Sequence, residues 1–303
     1  MQSNKNSWVY ELILTALFAA IVIVMAVTPL GFIPLVVINA TTIHIPVIIG
    51  SIFLGPKKGA FLGFVFGFTS FLKSTLAPAS MSAFVFSPVI AVSTLSPEGA
   101  AATVAVVLKS LFIAFVPRIL IGVVPYFVYV GIKKAIGSDK KVVYGSIINA
   151  VASFIIGFGV HAFLANMIPD IAGLTTGIIG VVVGAVAFGL IEYLFMNKNA
   201  KALAFITAGI AGAMTNTLLV MGGIFVLYKE PYSEAVGVAA DALLAIIGGV
   251  ISFNGVIEAI VAAIIVYLVG SVLDKIKPAG IYAGKDMKIK AVASSQAETK
   301  MAQ

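Results

Sequence analysis

The chain has 303 residues, of which 61% are hydrophobic and 10% charged. A soluble domain carries about 25% charged residues, so most of this surface must face lipid, and the chain reads as an all-α, polytopic membrane helical bundle. The complete lack of cysteine excludes a disulfide framework, a thiolate metal site and a thiol nucleophile, and a net charge of +7 first raises, then through its placement argues against, nucleic acid as a partner.

A helix that crosses a bilayer needs about 20 mostly apolar residues. Runs at residues 9–27, 43–54, 59–72, 110–130, 142–164, 175–195, 202–227 and 243–273 meet or approach that length. The first apolar stretch, 9–30, exceeds the roughly 7–15 residues of a signal-peptide core, so it is read as a retained helix. The second and third runs are short and flank Gly55-Pro56-Lys57-Lys58, a turn with two positive charges. Eight spans follow, with both termini on one side, and residues 1–276 form the membrane domain. The outer segments 31–42, apolar with Pro34 and Asn39, and 74–99, with Pro78, Pro88 and Pro97, are long for turns. Loops of that kind are usually functional, and both are expected to fold back over a cavity. Residues 277–303 are polar and Lys-rich, and a disordered cytoplasmic tail is expected there.

Lysine and arginine in short loops set orientation. With the N-terminus in the cytoplasm, fifteen of the 19 basic residues lie inside, and four (Lys73, Lys109, Arg118 and Lys229) do not. The basic residues are thus topology signals beside an anionic leaflet, which accounts for the charge without nucleic acid. A multi-pass protein of the cell membrane with both termini cytoplasmic is expected.

No catalytic engine is legible. There is no G-x-x-x-x-G-K-[ST] phosphate loop, no H-E-x-x-H zinc pair and no G-x-S-x-G elbow, so the chain is not read as an enzyme, and no cofactor or metal is expected. What stands out is a sparse set of polar residues inside apolar runs, where a central charge costs roughly 2.5–3.5 kcal/mol. Arg118, the one arginine, follows Pro117 in the expected outer half of the fourth run. Asn216 lies on the seventh, and Asn254 and Glu258 are four apart on the eighth. Polar groups at similar depth on three helices beneath two apolar loops suggest a binding pocket; an interhelical cluster built on an Arg118–Glu258 pair is the structural alternative. Asn149, His161 and Glu192 are read as packing polars. A self-contained ion-coupled secondary transporter of a small organic anion, with Glu258 or Glu192 as the coupling carboxylate, is the rival function.

Several ordered stretches carry a family resemblance: TPLGFIP from Thr28, NATTIHIPVIIG from Asn39, LGPKKGAFLGFVFG from Leu54, FVFSP from Phe84, VPRILIG from Val116, TNTLLVMGG from Thr215 and NGVIEA from Asn254. Together they resemble the substrate-binding S components of energy-coupling factor (ECF) vitamin transporters, most closely the pantothenate type. The resemblance covers roughly 9–135 and 200–275. It implies a vitamin-binding subunit with no ATPase of its own, working with an ECF transmembrane coupling subunit and two ATPase subunits. Asn39, Thr42, His44, Phe84, Arg118, Asn216, Asn254 and Glu258 are then the expected substrate-binding residues. Ala16 and Ala20, a small-xxx-small step in the first helix, form the expected docking face.

S components usually have six spans. Setting aside residues 142–195 as an inserted two-helix hairpin leaves a six-helix core. The hairpin is expected at the periphery, contributing nothing to the pocket. Its segment Gly184-Ala-Val-Ala-Phe-Gly-Leu-Ile-Glu192 aligns with Gly249-Val-Ile-Ser-Phe-Asn-Gly-Val-Ile-Glu258 if Asn254 is treated as missing from the first, which suggests a duplicated hairpin that lost its pocket asparagine.

Overall fold

The computed structural model describes residues 2–34, 39–78, 81–168, 173–198 and 200–276; the expected tail at 277–303 and the side chain of Asn39 lie outside the described residues. The chain forms a helical bundle. Helix α1 is Gln2–Val27. A two-stranded hairpin follows, β1 (Phe32–Pro34) pairing antiparallel with β2 (Asn39–Thr41). Then come α2 (His44–Leu54), α3 (Pro56–Leu76), α4 (Pro88–Leu95), α5 (Ala100–Ile121), α6 (Val124–Ala135), α7 (Lys141–Met167) and α8 (Gly173–Tyr193). The chain ends in α9 (Ala202–Leu227), α10 (Lys229–Ala235), α11 (Leu243–Val250) and α12 (Val256–Ile276). Seven helical elements among the described residues are long and apolar enough to cross a membrane. Leu12, Ile13, Leu17, Phe61, Leu108, Phe154 and Val181 are among the many large apolar side chains left exposed, as a lipid-facing surface requires.

The second expected span is the short one. All eleven residues of α2 are buried, and at 1.5 Å per residue the helix is about 16 Å long, half a hydrocarbon core. A helix surrounded by protein has no need to match the bilayer. It ends at Gly55, whose φ of 89° lets the chain reverse into α3 with Pro56 at the first helical position.

The fourth element differs from expectation. The continuous stretch is Ala100–Ala135, longer than the 110–130 run, and it bends at Gly122 and Val123 between α5 and α6. Arg118 therefore lies near the midpoint of this element rather than in its outer half. Three glycines fix the crossing of α3 and α5. A Cβ on Gly59 would fall 2.0 Å from the Gly122 carbonyl oxygen, and one on Gly63 would fall 2.1 Å from that of Arg118. Backbone thus lies on backbone, the close approach that small residues permit between membrane helices. Ser51 Oγ of α2 donates to the Gly122 carbonyl at 2.7 Å, tying the third helix into the same junction.

The outer segment 74–99 is not an open loop. It holds a 3-10 turn, Met81–Val85, and α4, which Ser87 caps by accepting from Ile90 N–H at 3.3 Å. Ser110 Oγ donates to the Phe84 carbonyl at 3.0 Å and lies 2.7 Å from Tyr228 Oη, and the Tyr228 hydroxyl donates to the Val106 carbonyl. These bonds seat the segment on α5 and α9. At the opposite end, Lys58 pairs with Glu11, and Lys201 with Asp274 at 2.6 Å. The starts of α3 and α9 are thereby joined to the start of α1 and the end of α12.

Helices α7 and α8 form the hairpin set apart in the sequence. They touch backbone to backbone where a Cβ on Gly157 would fall 2.6 Å from the Gly180 carbonyl oxygen and 3.0 Å from the Gly184 Cα. Their polar side chains satisfy one another. Glu192 accepts from Ser146 Oγ at 2.7 Å and from Asn149 Nδ2 at 2.8 Å, Ser153 Oγ donates to Asn149 Oδ1 at 3.1 Å, and His161 Nδ1 lies 3.1 Å from Thr176 Oγ1. The hairpin still reaches the core: Gly159 packs on Val256, and the Phe163 and Phe253 rings lie 4.6 Å apart.

Candidate binding site between α2, α5, α9 and α12

Helix α2 packs against α5, α9 and α12, and α2, α5, α9 and the segment leading into α12 each carry one of the polar residues singled out in the sequence. His44, its first residue, is fully buried, and neither ring nitrogen has a hydrogen-bond partner. The Thr41 backbone is close to the ring but does not meet it in hydrogen-bond geometry. On α9, Asn216 is buried with Oδ1 unpartnered, and Asn254 Oδ1 is likewise buried and unpartnered. Arg118 Nε is a fourth such group. Five of the six buried side-chain polar atoms without a partner among the described residues belong to these four residues; the sixth is Ser271 Oγ. A buried polar group left unpaired costs about 1–3 kcal/mol. Such groups are few in folded cores, and here all but one belong to residues of α2, α5, α9 and the segment before α12.

Arg118 owes its pose to the residue before it. Proline 117 lies inside α5 and has no N–H, so the carbonyl four residues earlier, that of Ile113, loses its helical donor. Arg118 Nη1 supplies the replacement at 2.7 Å. The guanidinium is further held between rings, 4.8 Å from the Phe86 centroid and 5.7 Å from that of Phe66, a cation–π arrangement. What remains is the edge bearing Nε, a donor edge suited to a planar anion.

Glu258 does not pair with it. Its Oε1 accepts from the Thr41 backbone N–H at 2.8 Å, and its Oε2 from Thr217 Oγ1 at 3.2 Å. Among the described residues no ion pair joins Arg118 to Glu258, although the two charges lie close enough to interact. The structural alternative of a direct Arg118–Glu258 pair is thus not what the side chains form.

Asn254 sits in a π-helical segment, Ile251–Gly255, between α11 and α12. A π-bulge is one residue inserted into an α-helix, and such bulges concentrate at functional sites. The aligned stretch of α8, one residue shorter, is regular α-helix through Glu192.

The other expected site residues hold less open positions. Thr42 closes the base of the β hairpin, its N–H donating to the Gly31 carbonyl at 3.0 Å and its Oγ1 to that of Leu30 at 2.8 Å. Phe84 is fully buried, edge-on to Tyr228 at 5.5 Å; Phe86, two residues on, is the aromatic of that segment that faces Arg118. The backbone of Asn39 lies in β2, and its side chain is outside the described residues. Sequence reasoning missed Phe66, Phe86, Thr217 and the Thr41 amide. Ala16 and Ala20 are exposed along one flank of α1, while Thr15, Phe18, Val22 and Ala26 face the bundle.

Comparison with known proteins agrees with this architecture. The family model described as ECF transporter, substrate-specific component, matches residues 11–169. That segment contains His44 and Arg118 and runs through α7, the first helix of the hairpin; Asn216, Asn254 and Glu258 lie beyond it. The pantothenic acid transporter PanT of Lactococcus lactis subsp. cremoris (strain MG1363) is 38% identical over 155 residues, covering 48% of this chain and 71% of that protein. The pantothenate transporter PanT of Leuconostoc mesenteroides subsp. mesenteroides is 30% identical over 129 residues, covering 41% of this chain and 51% of that one.

Proposed function

Because this chain belongs to the ECF transporter substrate-specific component family, we propose that it captures pantothenate at the outer face of a bacterial cell membrane and delivers it through an ECF transmembrane coupling subunit driven by two ATPase subunits. The observation that carries this reading is the cluster of unpartnered buried atoms on His44, Arg118, Asn216 and Asn254. Pantothenate carries one carboxylate, one amide and two hydroxyls. The Nε edge of Arg118 suits the carboxylate, with a His44 N–H as a second donor. The Oδ1 atoms of Asn216 and Asn254 are acceptors and suit the hydroxyl and amide protons. The names of the two relatives point to the same vitamin.

The orientation proposed for this task places both termini in the cytoplasm. Fifteen of 19 basic residues then lie inside, together with the Lys58–Glu11 and Lys201–Asp274 pairs. Titration of the purified chain with pantothenate and with unrelated vitamins tests the ligand. Saturable heat for pantothenate alone is expected; another vitamin binding in its place would refute the assignment. In proteoliposomes, the chain without ECF partners is expected to bind ligand but not accumulate it. Accumulation driven by an ion gradient would instead support the rival secondary transporter.

Docking is assigned to the exposed flank of α1. Replacing both Ala16 and Ala20 with Leu places bulk where a partner helix would otherwise come close. Co-purification with the coupling subunit and uptake are expected to fall by about tenfold or more, the effect of roughly 1.4 kcal/mol. Ligand affinity of the isolated chain is expected to change little, because neither alanine faces the bundle. Undiminished uptake would move the docking face elsewhere.

A further inference from the structure

We infer that the α7–α8 hairpin, none of whose residues is proposed to bind ligand, braces the π-segment that presents Asn254, with Phe163 as the positioning residue. The inference rests on the proposed site, but one of its two measurements is made without ligand and does not require the ligand to be pantothenate.

Helices α11 and α12 are seated in two different cores. Leu243 and Ile247 of α11 belong with Phe84, Ile224 and Tyr228, whereas Ala259, Ala262 and Val266 of α12 belong with Ile48 and Phe205. The π-segment Ile251–Gly255 joins them. Neither core includes Phe253 or Val256, the buried apolar residues that flank Asn254. Their contacts go to α7 instead. The Phe253 ring lies 4.6 Å from that of Phe163, and a Cβ on Gly159 would overlap the Val256 side chain. Gly159 and Phe163 are four apart and so share one face of α7. Gly255 meets α9, where an added Cβ would fall 2.9 Å from Thr217 Cγ2. Phe253 and Gly255 are two residues apart, on roughly opposite faces of a helix that turns about 100° per residue. Asn254 is the residue between these two grips.

An extra residue costs a helix backbone about as much at one turn as at the next, so side-chain contacts choose its place. A bulge at residues 251–255 puts Phe253 on α7 and Gly255 on α9 at once. Without the Phe163 ring the segment is gripped from α9 alone, and Asn254 loses its fixed direction. The rest of the site keeps its own supports: Arg118 is held by Ile113, Phe66 and Phe86, and Glu258 by Thr41 and Thr217. Loss of the brace is therefore bounded by what Asn254 itself contributes to binding.

The test compares Phe163→Ala with Phe163→Tyr, which keeps the ring, and with Phe154→Ala, which removes an exposed ring from the same helix. Asn254–Gly255 is the one Asn-Gly pair in the chain, so carbonyl-labelled asparagine with nitrogen-labelled glycine gives a single amide signal, that of Gly255, in ligand-free protein in lipid nanodiscs. That signal is expected to be sharp and single in wild type, Phe163→Tyr and Phe154→Ala, and broadened or split in Phe163→Ala; loss of a ring alone would move it without broadening. Pantothenate titration is the second readout. Phe163→Ala is expected to weaken binding by between about threefold and the tenfold set for Asn254→Ala, with Phe163→Tyr and Phe154→Ala near wild type. In an Asn254→Ala background, Phe163→Ala should cost nothing more, because a residue that acts through another is not additive with it. Additive losses overturn the inference, since the ring would then act on the fold at large. So does unchanged affinity in Phe163→Ala, and so does a sharp, single Gly255 signal there. Should Phe163→Ala not fold, Phe163→Leu, which keeps bulk without the ring, takes its place in both measurements. If wild type does not bind pantothenate, the ligand assignment fails while the Gly255 signal still judges the brace.

Discussion

Replacing Arg118 by Gln is expected to abolish most of the preference for pantothenate over pantothenol, in which an alcohol stands where the carboxylate was. The guanidinium is buried, stacked against Phe86 and Phe66, and anchored by one nitrogen to the carbonyl that Pro117 leaves without a helical donor. That arrangement fixes the plane and leaves the Nε edge open. A direct pair with Glu258 would have neutralised it, but Glu258 is engaged by Thr41 and Thr217. Truncating one partner of a buried, hydrogen-bonded charge pair costs about 2–5 kcal/mol, so wild type should prefer the acid by roughly a hundredfold. Arg118→Gln removes the charge; the length of Gln does not reproduce the contact with Ile113, so some loss of thermal stability is expected. The diagnostic quantity is therefore the ratio of the two affinities in folded protein, not the loss of either. Arg118→Lys retains charge without the planar fork and should fall between. An equal ratio in wild type and Arg118→Gln would make the arginine structural and place the carboxylate elsewhere.

How far the sequence discloses this protein depends on what each feature must satisfy. Helices facing lipid must be long and apolar, so α1, α7, α8 and α9 are legible from hydropathy within a few residues. Helix α2 faces protein; its short length is legible from the apolar run 43–54 ending at Gly55-Pro56, but its burial on every side is not. The outer part of α5 is missed because Lys109 interrupts the apolar stretch, so the run is started at Ser110 although Ala100 to Leu108 is itself apolar. In segment 74–99, Ser87-Pro88 is a sound helix start, a capping hydroxyl followed by proline at the first position, yet the surrounding Ser and Ala mask it. At the site, His44, Arg118, Asn216, Asn254 and Glu258 stand out because polar groups are costly in apolar runs. Their partners do not. Phe66 and Phe86 are two among 21 phenylalanines, and the amide of Thr41 has no side-chain signature at all. The expected hairpin polars Asn149, His161 and Glu192 do form packing bonds, with Ser146, Ser153 and Thr176 as partners the sequence did not single out.

Deleting Asn254 is expected to eliminate binding, where Asn254→Ala only weakens it. The alanine variant loses one acceptor, for which about tenfold in affinity is the ordinary cost. Deletion also removes the extra residue of the π-segment Ile251–Gly255. An α-helix turns about 100° per residue at 3.6 residues per turn, so restoring regular α-helix rotates α11 by that angle relative to α12. Either the buried face of α11, Leu243 and Ile247, leaves its seat against Tyr228 and Ile224, or Glu258 turns away from Thr41 and Thr217. The chain contains its own reference for the shortened sequence: residues 184–192 align with 249–258 lacking Asn254, run as unbroken α-helix, and end in a glutamate bonded to Ser146 and Asn149 of the preceding helix. Glu258 is likewise bonded to Thr217 of the helix before it. A regular helix therefore suffices for a glutamate that ties two helices together, so the extra residue is expected to serve the proposed site rather than the glutamate's bond. Thermal unfolding and size-exclusion profiles identify a folded deletion variant, and titration with pantothenate then gives the comparison. If folded deletion and alanine variants bind alike, the bulge matters for its amide alone, and the rotation it imposes has no part in shaping the site.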